Sequence, residues 1–241
     1  MYLLIPAAGV GRRMGSAFVA RNLPHRNKLL LTLLEKPLLF WTLRAAAAAE
    51  TIAWIGIIGQ PADKLDIDRI LAELNLSKPI AWIEGGQTRQ ESVYNGLQGL
   101  PPEAHQDPHS RVLIHDGARC LATPELFDRC SAALDTCDGL IAAVPVKDTI
   151  KIVDAEGFIQ STPDRRQLWA AQTPQGFSVA AIKACHEQGH QRQVEVTDDA
   201  ALFEYFRHPV KIVEGEETNL KVTTPADLTI AECILRQRYS L

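Results

Sequence analysis

Three clusters of residues in this chain have the types and spacing to handle a phosphorylated ligand. The first is IPAAGVGRRMG at residues 5–15, where an apolar run breaks into Gly9, Gly11 and Gly15 around Arg12 and Arg13. Glycines let backbone N–H groups approach phosphate oxygens and form an anion-binding concavity. Arg13 and the nearby Lys28 add full positive charges. A purely structural tight turn uses glycines in the same way, so the loop alone leaves both readings open. Its spacing excludes two common fingerprints: one residue too many separates the second and third glycines for G-x-G-x-x-G, and the Gly-Lys-Ser/Thr end of a P-loop is missing.

The second cluster is IHDGAR, residues 114–119. Asp116 is followed by Gly117 and Ala118, so its carboxylate faces a crevice that backbone can line. A carboxylate there can hold Mg²⁺, which bridges phosphates and neutralises their charge; it can equally cap a turn. His115 points the other way along the strand and receives no catalytic role. The third cluster is EGGQTRQESV, residues 84–93. Gly85 and Gly86 leave bare backbone against which a flat base can lie, although paired glycines are also common in turns. Thr88-Arg89-Gln90-Glu91 reads as a capping box, which makes Glu91 structural.

Charge supports a small anionic ligand. Residues 1–34 carry Arg12, Arg13, Arg21, Arg26 and Lys28 with no acidic residue, while the net charge is −4, so the remainder is strongly acidic. A basic pocket on an acidic body suits a small polyanion better than a nucleic-acid polymer, which needs a broad basic face. A membrane is not an expected partner, because uninterrupted apolar stretches fall short of a spanning segment. Five cysteines without a C-x-x-C pair favour free thiols in a reducing cytoplasm. The first residues lead directly into an apolar run, so no signal or transit peptide is expected.

The elements that must position these clusters follow from hydrophobic patterning. Near-continuous apolar runs at 2–8, 52–59, 79–83, 111–118, 139–146 and 210–213 read as strands buried on both faces. Helical segments at 37–50, 63–75, 88–99, 123–137, 178–188, 197–206 and 224–238 alternate with them. Thr123-Pro124 and Thr224-Pro225 place a capping hydroxyl before proline at a first helical position. The alternation predicts βαβ crossovers and an α/β, doubly wound, mostly parallel sheet with helices on both faces, its ligands at the carboxyl ends of the strands. Residues 145–170 break the rhythm with a predicted hairpin, TIKIV against FIQST, around Asp154-Ala155-Glu156-Gly157. A lone hairpin is marginally stable, so a partner subunit is the expected support.

In order and spacing, PAAGVGRRMG, Lys28, GGQTRQESV, HDGAR, PVKDTI, DRRQLW-x-x-QTPQ-x-F, VTDDAA and VEGEETNLKVTTPADL resemble one enzyme family from residue 3 to about 231. It is the 2-C-methyl-D-erythritol 4-phosphate cytidylyltransferase family of the non-mevalonate isoprenoid pathway. The resemblance implies a single Rossmann-like nucleotidyltransferase domain over 1–241, with 145–170 an inserted dimerisation β-arm. It implies CTP as co-substrate, a sugar-alcohol phosphate as second substrate, Mg²⁺ as cofactor and a cytoplasmic homodimer. Ala7, Ala8, Gly9 and Gly11 would cradle the triphosphate, and Arg13 and Lys28 would stabilise charge on the α-phosphate. Gly85, Gly86 and Ser92 match cytosine-reading positions, Gly117 joins the nucleotide site, and Asp116 would be the Mg²⁺ ligand. Arg119, Thr149, Arg165, Thr173, Thr197 and Lys221 match the sugar-phosphate site, with Arg165 and Lys221 placed among the catalytic groups. In that family the arginine at position 165 acts in the partner subunit's site.

The chain departs from the family pattern at four places. Asn27-Lys28-Leu29 replaces Pro-Lys-Gln after a longer loop (16–27), with Arg26 the alternative cation. Gln87 and Thr218 stand where Asp is common, and Cys120 where Pro is usual. A ribitol 5-phosphate cytidylyltransferase would share the CTP loop but differ at Thr149, Arg165, Thr173 and Lys221. A dinucleotide-binding oxidoreductase would need the G-x-G-x-x-G spacing, which the extra residue in the glycine loop breaks. A non-catalytic nucleotide-binding regulator would have no use for Lys28 and Lys221 together.

Overall fold

A computed structural model describes residues 1–9, 14 and 27–240. Seven strands form the central sheet: β1 (Tyr2–Pro6), β2 (Trp54–Gly59), β3 (Ile80–Glu84), β4 (Arg111–Ile114), β5 (Gly139–Pro145), β6 (Trp169–Ser178) and β7 (Lys211–Glu214). Their order is β3-β2-β1-β4-β6-β5-β7. All neighbouring pairs are parallel except those of β6, which runs antiparallel to both β4 and β5. The fold is α/β, Rossmann-like and mostly parallel. Connections leave β1 in one direction and β4 in the other, which opens a crevice at their carboxyl ends.

Unbroken apolar runs become two-sided burial. Leu3 and Ile5 of β1 pack with Ile55 and Ile57 on one face, whereas Leu4 packs with Ile58, Val112 and Ile114 on the other. The first face is covered by α1 (Leu38–Ala48), α2 (Lys64–Leu74) and α5 (Pro124–Ala133) through Leu39, Leu43, Ile67, Ile70 and Phe127. The second is covered by α3 (Arg89–Gln98), α6 (Val179–Gln191) and α7 (Asp199–Tyr205) through Val93, Leu97, Ile182 and Phe203. The short α4 (Pro102–Gln106) adds Ala104 to that face, and α8 (Pro225–Tyr239) packs on Leu31, Leu33 and Trp41.

Strand β6 escapes a reading based on apolar runs because its middle is polar. Gln172, Thr173 and Gln175 are buried, each with hydrogen-bond partners, so burial there costs little. The β5 ladder slips between Ala171 and Gln175, around Pro174, which has no N–H to donate. The short α4 also lies outside the expected helices. The predicted hairpin is present but shorter than expected, Ile152–Val153 against Ile159–Ser161, turning through Gly157 at φ +90. Its apolar side chains Ile152, Val153, Phe158 and Ile159 are exposed, Phe158 to 72%. Among the described residues, no helix is long and apolar enough to cross a membrane.

Candidate active site

A cleft of about 1300 Å³ opens at the carboxyl ends of β1, β3 and β4. Ala8 and Gly9 reach it from β1, Gly86 from β3, Ser92 from α3, and Asp116 and Gly117 from β4; Lys28 and Lys221 enter from two other segments. Gly11 and Arg13 lie outside the described residues, as does most of the 16–27 loop, including Arg26.

The floor is built by close backbone approach. Ala7 is buried, its N–H bonded to Ile58 O (2.6 Å) and its carbonyl accepting from Asn27 Nδ2. Asn27 also donates to Asp63 Oδ2 (2.9 Å) and caps Leu29 N (3.1 Å), which ties the segment before Lys28 to both α2 and the glycine loop. A Cβ on Gly85 would lie 2.6 Å from Ala8 Cβ, so only glycine lets these two loops meet. Gly86 N donates to Ser92 Oγ (3.0 Å), and Ser92 Oγ donates to Thr88 O (2.8 Å). These bonds fix bare backbone beside the first turn of α3. Thr88 caps Glu91 N as expected, but the Glu91 carboxylate accepts from Gln87 N rather than from the cap itself.

Charge converges on Asp116. Lys221 Nζ is 2.5 Å from its Oδ2, and Arg89 Nε is 3.3 Å from its Oδ1. Burial alone would raise the Asp116 pKa; Arg89 and then Lys221 hold it well below the usual carboxylate range. Behind it, Asp116 N donates to Thr173 Oγ1 (3.0 Å), which also meets His115 Nδ1 at 3.0 Å. Burial pushes His115 down to about 4, so its ring is neutral at physiological pH and serves as a brace between Thr173 and the Arg119 carbonyl. Lys28 Nζ donates to Val222 O (2.8 Å), and Val222 N donates to Ala118 O, which brings both lysines to one rim of the cleft.

The expected second-substrate residues are not gathered in the same way. Arg119 donates to Asn219 O (2.7 Å) and Ala171 O (3.1 Å), and Thr173 is buried beneath Asp116. Thr197 is exposed just before Asp198, the N-cap of α7. Thr149 and Arg165 are exposed near the hairpin, and Arg165 donates to Lys147 O (3.0 Å).

Arg89 was missed by sequence reasoning beyond its place in a capping box. A cation at the first position of a helix opposes the macrodipole, and that mismatch was the available signal. The structure uses it to bridge Asp116 and the buried Asp199, whose Oδ2 lies 2.9 Å away.

A sequence model of 2-C-methyl-D-erythritol 4-phosphate cytidylyltransferase (IspD) matches residues 1–237. The chain belongs to this cytidylyltransferase family. It is 64% identical over 240 residues to the 2-C-methyl-D-erythritol 4-phosphate cytidylyltransferase of Crocosphaera subtropica, covering 100% of both chains. It is 66% identical to that of Acaryochloris marina, covering 99% of this chain and 95% of the relative. Among solved structures, the 4-diphosphocytidyl-2C-methyl-D-erythritol synthase of Anaerococcus prevotii superposes with a TM-score of 0.83 at 32% identity, over 98% of this chain and 95% of that one. The cytidylyltransferase of Thermus thermophilus gives 0.73 at 29% identity, over 97% and 98%.

Within this cytidylyltransferase fold, two departures from the family pattern have clear surroundings. Gln87 lines the cleft, and Cys120 sits in the apolar cluster with Leu121 and Val222, where burial pushes its thiol up to about 12.

Proposed function

We propose that this chain transfers the cytidylyl group of CTP to 2-C-methyl-D-erythritol 4-phosphate, releasing pyrophosphate. The observation that carries this reading is the meeting of Lys28, Asp116 and Lys221 at one cleft with the bare backbone of Gly86. An oxygen of the substrate's phosphate monoester attacks the α-phosphorus of CTP, and the bond to the β-phosphate oxygen breaks. The second pKa of such a monoester is about 6, so the nucleophile is already ionised and no general base is required. The task is to bring anion to anion and to stabilise charge on the crowded α-phosphate, which fixed cations and positioning accomplish.

Ala7, Ala8, Gly9 and Gly11 are assigned to the triphosphate, with Arg13 and Lys28 at the α-phosphate. Gly85, Gly86, Ser92 and Gly117 are assigned to the nucleoside. Lys221 holds the attacking phosphate, and Arg119, Thr173 and Thr197 define the second-substrate side. Asp116 fits a Mg²⁺ role in a specific sense. Among the described residues, no group of three or more His, Cys, Asp or Glu side chains could hold a metal by itself. The ion would therefore take this single carboxylate together with phosphate oxygens and water, the usual way Mg²⁺ is held at nucleotide sites. When bound it supplies charge neutralisation on the triphosphate.

The arm at 145–170 is assigned to a homodimer, which would cover the exposed Ile152, Val153, Phe158 and Ile159 and carry Thr149 and Arg165 to the neighbouring subunit's site. The free cysteines suit a cytoplasmic enzyme. Pyrophosphate release with methylerythritol phosphate, compared with ribitol 5-phosphate, tests the reading. Release with the ribitol compound alone would overturn it.

A further inference from the structure

We propose that Asp199, buried behind the cleft, is a positioning residue that draws Arg89 off Asp116 Oδ1, the oxygen that Lys221 does not hold, and so keeps that oxygen open to a divalent cation. The inference rests on the reading of Asp116 as the metal-facing carboxylate. A guanidinium ordinarily grips one carboxylate with two parallel N–H donors. Arg89 does not. Its Nε stands 3.3 Å from Asp116 Oδ1, while a terminal nitrogen stands 2.9 Å from Asp199 Oδ2.

Asp199 is the fixed end of this arrangement. Its side chain is 2% exposed, its N–H and that of Ala200 donate to Gln175 Oε1 (3.1 and 3.0 Å), and His186 Nε2 lies 3.2 Å from its Oδ1. Arg89, with a side chain 30% exposed at the start of α3, is the end able to move. A full negative charge at Asp199 therefore holds half of the guanidinium fork away from the cleft. Without that charge the fork closes on Asp116 Oδ1 while Lys221 holds Oδ2, and an incoming cation must displace a charge-assisted pair. Such a pair is strong enough to weaken metal binding roughly tenfold.

The test is Mn²⁺ titration by electron paramagnetic resonance of the full chain, in excess over CTP and without second substrate, with thermal midpoints measured in parallel. Asp116→Asn is expected to weaken Mn²⁺ binding to the protein–CTP complex. Asp199→Asn is expected to weaken it roughly tenfold. Arg89→Gln/Asp199→Asn is expected to restore it to within about twofold of the unmodified chain, because no fork remains to close. A merely structural Asp199 would show no such restoration. Unchanged Mn²⁺ binding in Asp199→Asn, with binding lost in Asp116→Asn, overturns the positioning role alone. Unchanged binding in Asp116→Asn overturns both this role and the metal assignment. Should Asp199→Asn fail to fold, the double variant decides, and a loss of about tenfold or more there overturns the proposal.

Discussion

Lys221 Nζ lies 2.5 Å from Asp116 Oδ2, although 105 residues separate the two in the chain. The contact joins the segment after β7 to the end of β4, on the rim where Lys28 holds the Val222 carbonyl. In the proposed reaction the same lysine holds the attacking phosphate, and the carboxylate would keep its ammonium at that site.

Lys221→Gln keeps a polar side chain, one atom shorter, and removes its charge. The expected result is a fall in kcat/KM for the second substrate of about 10²-fold or more. The thermal midpoint should fall only modestly, because the buried Asp116 loses one of its two cations and keeps Arg89. Steady-state pyrophosphate release and a thermal melt check both, and a loss below about tenfold would remove Lys221 from the chemistry.

Gly85→Ala places a methyl group 2.6 Å from Ala8 Cβ and 3.3 Å from Ser92 Oγ. Neither neighbour has a long, flexible end that can swing aside, so the loops after β1 and β3 must part. A destabilisation of about 1–3 kcal/mol is expected, together with a higher KM for CTP. Denaturant unfolding and CTP titration measure the two effects. A variant with unchanged KM would free the Gly85–Ala8 contact from any role in nucleotide binding.

Asp128 ties the loop after α1 to α5 by accepting from Thr51 N (2.8 Å), Thr51 Oγ1 (2.6 Å) and Glu50 N (3.0 Å). Burial works to raise its pKa, but these donors win and hold it below its ordinary 3.8. A carboxyl group whose folded pKa is depressed stabilises the fold above its unfolded pKa, and that stabilisation fades as pH falls through the folded value. Asp128→Asn is therefore expected to cost about 1 kcal/mol at pH 7, discounted for solvent screening. The difference from the unmodified chain should shrink below pH 4. Urea unfolding at several pH values measures it, and a gap that widened in acid would contradict the assignment.

Arg165 and Lys28 are assigned to opposite subunits of one composite site. Mixing Arg165→Ala with Lys28→Ala under conditions of subunit exchange should restore part of the lost activity, since one of the two sites in each hybrid is intact. No recovery with exchange proven would return Arg165 to its own subunit. Charging the arm, as in Ile159→Glu, is expected to shift the mass seen by light scattering toward the monomer.

The sequence by itself determined the layering of this protein. Runs such as YLLIPAA carry apolar residues at every position, and only strands covered on both faces bury them all, which dictates a doubly wound sheet. It also supplied the glycine loop, Asp116 and the double glycine, because close backbone approach and a strand-end carboxylate are local requirements. Tertiary structure alone decided what surrounds them. Strand β6 was hidden because its burial is satisfied by partners far along the chain, Gln172 with Glu216 O and Gln175 with Asp198, rather than by apolar side chains. The roles of Arg89 and Asp199 were hidden for the same reason: charges 110 positions apart are paired by topology, and no local pattern of residue types encodes that pairing.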